Sequence, residues 1–336
     1  MTIRSVTRGA AVALAAFAFA APAFSEQLEI VTLPQGSIAY GAGVAIAGVV
    51  SGKSPNQMLP VPHAGQQVSV PMLNDGKAAF TLVNVGDSDQ AFRGVKPFYT
   101  QRHTNLRLAS VGYENHTAIL VTIKSGIRGK EDLKGRYAAG GLDAHQTCKD
   151  LATASLASLN LTWDDFKIIP VASVVPSVKS LLGRAEVAPC AAPGMGVIKE
   201  VNLSTPLKFL SIDPSPEGLA RARKVFPGLR AVKLPAGSND GIVDDTWVLG
   251  YDFYLITHAK QNDASVYETV KAIWGNLPEL VNTNPQFRTW QQKRMAESDV
   301  TLPYHPGAIK FYKEQKVWTP EMEAQTQKLL VEAKGS

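Results

Sequence analysis

The chain carries only two cysteines and six histidines in 336 residues, and none of them falls in a CxxC or HxxxH spacing. That dispersal of His63, His103, His116, His145, His258 and His305 excludes the common zinc-site patterns, so neither a metal nor a cofactor is expected. Charged residues make up 19% of the chain, and its 34 Lys and Arg are scattered rather than clustered. A nucleic-acid partner calls for a concentrated basic face and is therefore not expected. No G-x-S-x-G elbow occurs, and His145 beside Cys148 on one helix is not a nucleophile and base assembled by a fold, so the chain is not read as an enzyme. The acidic pairs Asp164-Asp165 and Asp244-Asp245 read as solvated turns.

Long apolar runs are missing after the N-terminus. The first one, Ala10 to Ala23, is about fourteen residues, short of the roughly 20 that cross a bilayer. With Arg4 and Arg8 before it and small residues Ala23 and Ser25 behind it, the segment reads as an export signal cleaved after Ser25. Losing the two arginines takes the formal charge from +5 to +3, and the mature chain is expected to be soluble and periplasmic. In that oxidising compartment Cys148 and Cys190 form either a disulfide or two separate buried thiols.

What is present is alternation. Short β-rich runs alternate with helix-length segments, the pattern of an α/β fold with mixed sheets flanked by helices. Leu28–Leu33 reads as a strand and Gly43–Val50 as a helix. A helix over Val68–Asn74 stops at Gly76, and a strand follows over Ala79–Val83. The turn Asn84-Val85-Gly86-Asp87 then leads to a helix capped by Asp87 or Ser88. A similar unit recurs with helix Val178–Leu182 and strand Glu186–Ala191. Between the two lie strand Arg136–Ala139 and a helix over Ala144–Leu159. Ala118–Ile123 and Trp247–Thr257 look long enough to cross between lobes. The expected division is residues 26–117 with 248–336 as one lobe and 118–247 as the other.

In open α/β sheets ligands gather outside the carboxyl ends of the strands. That rule picks out the turns at Gly36–Tyr40, Asn84–Asp87, Gly141–Thr147 and Ala192–Met195, with His63–Gln67 added for its composition. Gly36, Gly41 and Gly43 miss the dinucleotide spacing, and their expected use is close approach of backbone N–H groups to a ligand. The phosphate-loop-like Ala47–Ser54 stretch puts its GKS at a helix end, where it reads as a helix stop. The helix start at His145, Gln146 and Thr147 is the most anion-friendly turn, because free amides meet the positive dipole end there.

Five ordered segments resemble the TAXI-type solute-binding proteins of TRAP transporters: GSIAYGAGVAIAGVVS, GQQ with LNDGKAAFTLVN, LRLASVGYENHTAILV, SGIRGKEDLKGRYAAGG and LPYHPGAIKFYKEQKVW. The resemblance implies a type II-like, two-lobe periplasmic binding fold that closes on a small organic anion, a carboxylate, in an interlobe cleft. It further implies a monomer that hands its solute to a membrane permease without a permanent anchor. By matching motif, Gly36, Ser37, Ile38, Tyr40, Gln66 and Asn84 would contact ligand from the first lobe. His145, Gln146, Thr147, Pro193 and Gly194 would do so from the second. Glutamate-binding relatives carry a small G-S-G-T turn where this chain has Ala144-His145-Gln146-Thr147, which leans toward a dicarboxylate or aromatic acid. His305-Pro306-Gly307 is assigned a structural or permease-facing role. The alternatives are an exported enzyme of the same shape and a stand-alone sensor.

Overall fold

The computed structural model describes Met1 and residues 27–32, 38–63, 66–95, 99–143, 145–283 and 285–335. The export signal, its cleavage site, Gly36, Ser37 and Ala144 lie outside the described residues. The first half of the chain runs β1 (Gln27–Thr32), α1 (Ile38–Lys53), β2 (Gln57–Pro62), α2 (Gln66–Asn74), β3 (Phe80–Asn84), α3 (Val85–Arg93) and β4 (Leu106–Thr122). There follow β5 (Tyr137–Gly141), α4 (Gln146–Ser158), β6 (Lys167–Val171), α5 (Val174–Ser180), β7 (Val187–Ala191), α6 (Gly196–Asn202), β8 (Leu207–Leu210), α7 (Pro216–Val225) and β9 (Arg230–Leu234). The chain ends with β10 (Thr246–His258), α8 (Asp263–Gly275), α9 (Leu277–Thr283), α10 (Pro306–Glu314) and α11 (Pro320–Lys334).

The strands form one sheet in the order β2-β1-β3-β10-β4-β7-β5-β6, with β9 against β10 and β8 against β4. Pairs β1–β2, β1–β3, β5–β6 and β5–β7 are parallel, while every pair that includes β4 or β10 is antiparallel. The sheet is thus mixed, with helices packed along it. The two long strands carry the chain from one end of the sheet to the other. β4 pairs with β10 from Leu106 to Thr117, then with β7 and β8 from Ala118 to Thr122. Because side chains alternate along a strand, Ala118 and Leu120 enter one apolar cluster with Val178 and Phe209. Ile119 and Val121 enter another with Leu156 and Phe166. The larger cluster, around Ile30, Phe80 and Tyr254, fills the other end.

Three expectations need correction. The body of the first helix, read over Gly43–Val50, lies within α1, but α1 also takes in Tyr40, which had been read as part of a turn. Gly43 serves helix packing rather than ligand access, because a Cβ there would overlap the Thr32 methyl on β1. No turn separates β3 from α3. Asn84 itself is the helix cap, its Oδ1 accepting the Asp87 N–H at 2.8 Å, so neither Asp87 nor Ser88 caps. Strand β2, with Pro60 and Pro62, was not anticipated; among the described residues it is an edge strand paired with β1 alone, where proline costs little hydrogen bonding.

Candidate functional site

At the carboxyl end of β3 the chain passes into α3 through Asn84, which is buried. Its Nδ2 donates to Gln66 Oε1 at 3.3 Å and to Asp87 Oδ2 at 2.8 Å. Gln66 opens α2 and is held in turn by its Nε2 donating to the Leu82 carbonyl at 3.4 Å. Two residues nominated from sequence therefore adjoin, and a carboxylate sits against them.

From the other half of the sheet comes the start of α4. After β5 the chain turns through Gly141 at φ 86° and Leu142 at φ 57°. A buried leucine in the left-handed region is strained, a condition that the surrounding structure must over-determine. Hydrogen bonds from Leu142 N to the Val171 carbonyl and from His145 N to the Leu142 carbonyl, both 2.8 Å, hold the turn. His145 then occupies the cap position without a side-chain cap bond. His145 is exposed, and desolvation by its surroundings lowers its pKa, which favours the neutral imidazole. Thr147, one residue into α4, donates from Oγ1 to Asp87 Oδ2 at 3.1 Å.

A second bridge runs parallel to the first. Asp150 accepts from Gln146 Nε2 at 2.7 Å and, from α3, Gln90 Nε2 at 3.2 Å. Gln66, Asn84, Gln146 and Thr147 are thus drawn together by two aspartates that sequence reasoning did not assign to the site. Asp87 had been included in the strand-end turn Asn84–Asp87, but its own side chain was weighed only as a helix cap. The signal for Asp150 was its i+4 position after Gln146 on one helix face.

Burial is the largest influence on both acids. It lifts the Asp87 carboxyl to about 6 against the hydrogen bonds from Asn84 and Thr147, with Asp150 adding to the rise. It raises Asp150 as well, against the hydrogen bonds from Gln90 and Gln146. Neither acid belongs to an ion pair among the described residues.

The remaining nominated residues lie on other elements. Pro193 and Gly194 form the turn after β7, where Gly194 has φ 90°. That turn is tied to α4 by a disulfide between Cys148 and Cys190, whose Cα atoms are 5.8 Å apart. Tyr40 is half-buried in the first turn of α1, and Ile38 contributes its backbone to the same turn. His305 is fully buried at the start of α10, where Nδ1 accepts the Gly307 N–H at 3.1 Å. Gly307 in turn lets α10 approach the Asp263 backbone at the start of α8, since a Cβ there would overlap the Asp263 carbonyl.

Where β4 and β10 run side by side, partly buried charges pair closely. Arg230 reaches Glu114 through Nε at 2.7 Å and Asp252 through Nη1 at 2.6 Å. Arg294 reaches Asp252 at 2.7 Å and Glu297 at 3.1 Å, and His116 lies 2.6 Å from Glu114. Burial pushes the Glu114 carboxyl up, but the His116 hydrogen bond and the Arg230 charge outweigh it and hold the group at about 2. Among the described residues no group of three or more His, Cys, Asp or Glu is arranged to hold a metal ion. No helix among them is long and apolar enough to cross a membrane.

The sequence profile of the NMT1-like family matches residues 30–315, well over half of the chain. The chain belongs to the NMT1-like family. None of the curated protein sequences matches it. Solved structures do resemble this NMT1-like chain in fold. A TctC solute-binding protein from Polaromonas superposes with a TM-score of 0.53 at 16% identity, covering 93% of this chain and 98% of that one. The periplasmic sulfonate-binding protein SsuA of a putative sulfonate transporter from Methylobacillus flagellatus gives 0.50 at 15%, covering 93% and 96%. MatC from Rhodopseudomonas palustris, solved with bound malate, gives 0.50 at 10%, covering 90% and 99%. The NMT1-like chain therefore has the two-lobe α/β fold of periplasmic binding proteins.

Proposed function

We propose that this chain is an extracytoplasmic solute receptor of the TAXI type, exported with cleavage after Ser25, that delivers a small organic acid to a TRAP-type permease. Residues 26–117 with 248–336 form one lobe and 118–247 the other. The change of β4 partners between Thr117 and Ala118 supports that boundary. The solute lies between the starts of α3 and α4, within reach of Tyr40, Gln66, Asn84, His145, Gln146 and Thr147, with Pro193 and Gly194 alongside.

The observation that carries this reading is the pair of side-chain bridges from α3 to α4, Thr147 to Asp87 and Gln90 to Asp150, at the strand ends where such folds bind ligands. Free amides and positive dipole ends favour an anion there. Malate in MatC is a small organic acid held by a chain of like fold. The polar groups are amides, hydroxyls and carboxyls already hydrogen-bonded to one another, which suits holding a solute rather than turning it over.

Mass spectrometry of solute carried through purification tests the reading directly, together with thermal shift against a broad carboxylate panel. A solute at a hundred times its Kd stabilises the native state by about 2.7 kcal/mol. Thr147→Leu should weaken that binding while the far-UV spectrum stays unchanged. A folded, ligand-free protein that no carboxylate stabilises would refute the proposal.

A further inference from the structure

The two aspartates in the cleft are not equivalently satisfied. Asp150 uses both oxygens, Oδ1 for Gln146 and Oδ2 for Gln90. Asp87 takes both of its side-chain donors, Asn84 Nδ2 and Thr147 Oγ1, on Oδ2 alone. Among the described residues no donor reaches Oδ1, although the side chain is only 7% exposed. A carboxylate oxygen of a largely buried residue, left accessible where two helix starts converge, is an acceptor open to a donor from outside the protein.

Charge sharpens this. A bare anion placed against Asp87 would meet a like charge, with Asp150 adding to it; among the described residues Asp87 has no ion pair, and only Lys149 offsets Asp150. A group that brings its own proton would instead complete the acceptor.

We propose that Asp87 is the specificity-determining residue of the cleft, its Oδ1 accepting a hydrogen bond from the solute, so that the solute is an organic acid bearing a proton donor apart from its anionic end. The donor is a hydroxyl, an ammonium, or the O–H of a second carboxyl that remains protonated. This rests on the receptor reading above. It adds that the anionic end faces the amides at the start of α4, while the donor end faces α3.

The test uses matched acids on the full mature protein: succinate, malate and aspartate; glutarate, 2-hydroxyglutarate and glutamate; propionate, lactate and alanine; and any solute that copurifies. Calorimetry in two buffers of different ionisation enthalpy reads affinity and proton uptake together. The expected result is a preference of roughly a hundredfold or more for the hydroxy or amino member of the set that binds. A plain dicarboxylate that binds while taking up one proton supports the carboxyl source instead. Asp87→Asn, checked for folding by circular dichroism, should compress that preference or abolish the proton uptake. Equal binding of plain and donor-bearing acids without proton uptake overturns the assignment, and so does an unchanged preference in Asp87→Asn. Retention of no solute at all by folded wild-type protein overturns the receptor reading itself, a distinguishable result.

Discussion

Asp87→Asn should make the solute-free protein more stable at alkaline pH, and the size of the gain can be worked from the cleft. The Asp87 carboxyl has an ordinary value of 3.8 and is raised to about 6 in the fold, burial outweighing the Asn84 and Thr147 hydrogen bonds. Between those values the folded chain holds a proton that the unfolded chain has released. Stability from this group is therefore complete below 3.8 and is lost as pH rises through 6. At about 1.4 kcal/mol per pH unit, the loss at pH 8 is about 3 kcal/mol. Asparagine mimics the protonated acid, keeping an acceptor for Asn84 and Thr147 without a charge to desolvate. For about 310 mature residues, at roughly 2.1 cal/mol/K each, 3 kcal/mol corresponds to a rise of about 5 °C in Tm. At pH 4 the two proteins should lie within about 1 kcal/mol of each other. Scanning calorimetry of both proteins at the two pH values decides it. An Asn variant that melts below wild type at pH 8, or whose advantage is the same at pH 4, refutes the reasoning.

Three further outcomes are expected. Arg230→Met leaves Glu114 and Asp252 with Arg294 as their remaining arginine, and should cost about 3 kcal/mol in urea unfolding; an unshifted midpoint would show the cluster to be neutral. Replacing Cys148 and Cys190 together by Ser opens a loop with a sequence separation of 42 and should cost about 4 kcal/mol by loop entropy, read against untreated wild-type protein in the same denaturant series. Burial lowers His305 from 6.5 to about 4, so its neutral form supports the fold above 6.5 and that support drains away as pH falls toward 4, about 2 to 3 kcal/mol by pH 4.5. His305→Asn keeps an acceptor for the Gly307 N–H, and its stability between pH 7 and 4.5 should be flatter than that of wild type, although lower at pH 7 for lost packing.

Much of the fold was legible because local pattern and tertiary role agree. The strand at Ala79–Val83 is observed over Phe80–Asn84, and that at Glu186–Ala191 over Val187–Ala191. Trp247–Thr257 lies within β10, and Ala118–Ile123 covers the far end of β4. The misses have physical causes. Pro60 and Pro62 hide β2, whose strand character comes from its neighbour β1 rather than from propensity. Gly43 was read as giving a ligand access to the backbone, yet it is small to fit Thr32, a contact that no local window contains. In the site, Gln66, Asn84, Gln146 and Thr147 could be nominated from strand ends and motif. The bridging role of Asp87 and Asp150 was not legible, because their partners Thr147 and Gln90 each stand 60 residues away.

The disulfide has a consequence for the order of assembly. Both of its cysteines follow β4 and precede β10, so the covalent ring closes inside a single continuous stretch and spans neither long strand. As the chain emerges N-terminus first, that ring can be sealed once Cys190 is out, while β10 and every helix after it are still to come. The crosslink then needs no undoing when the sheet is completed.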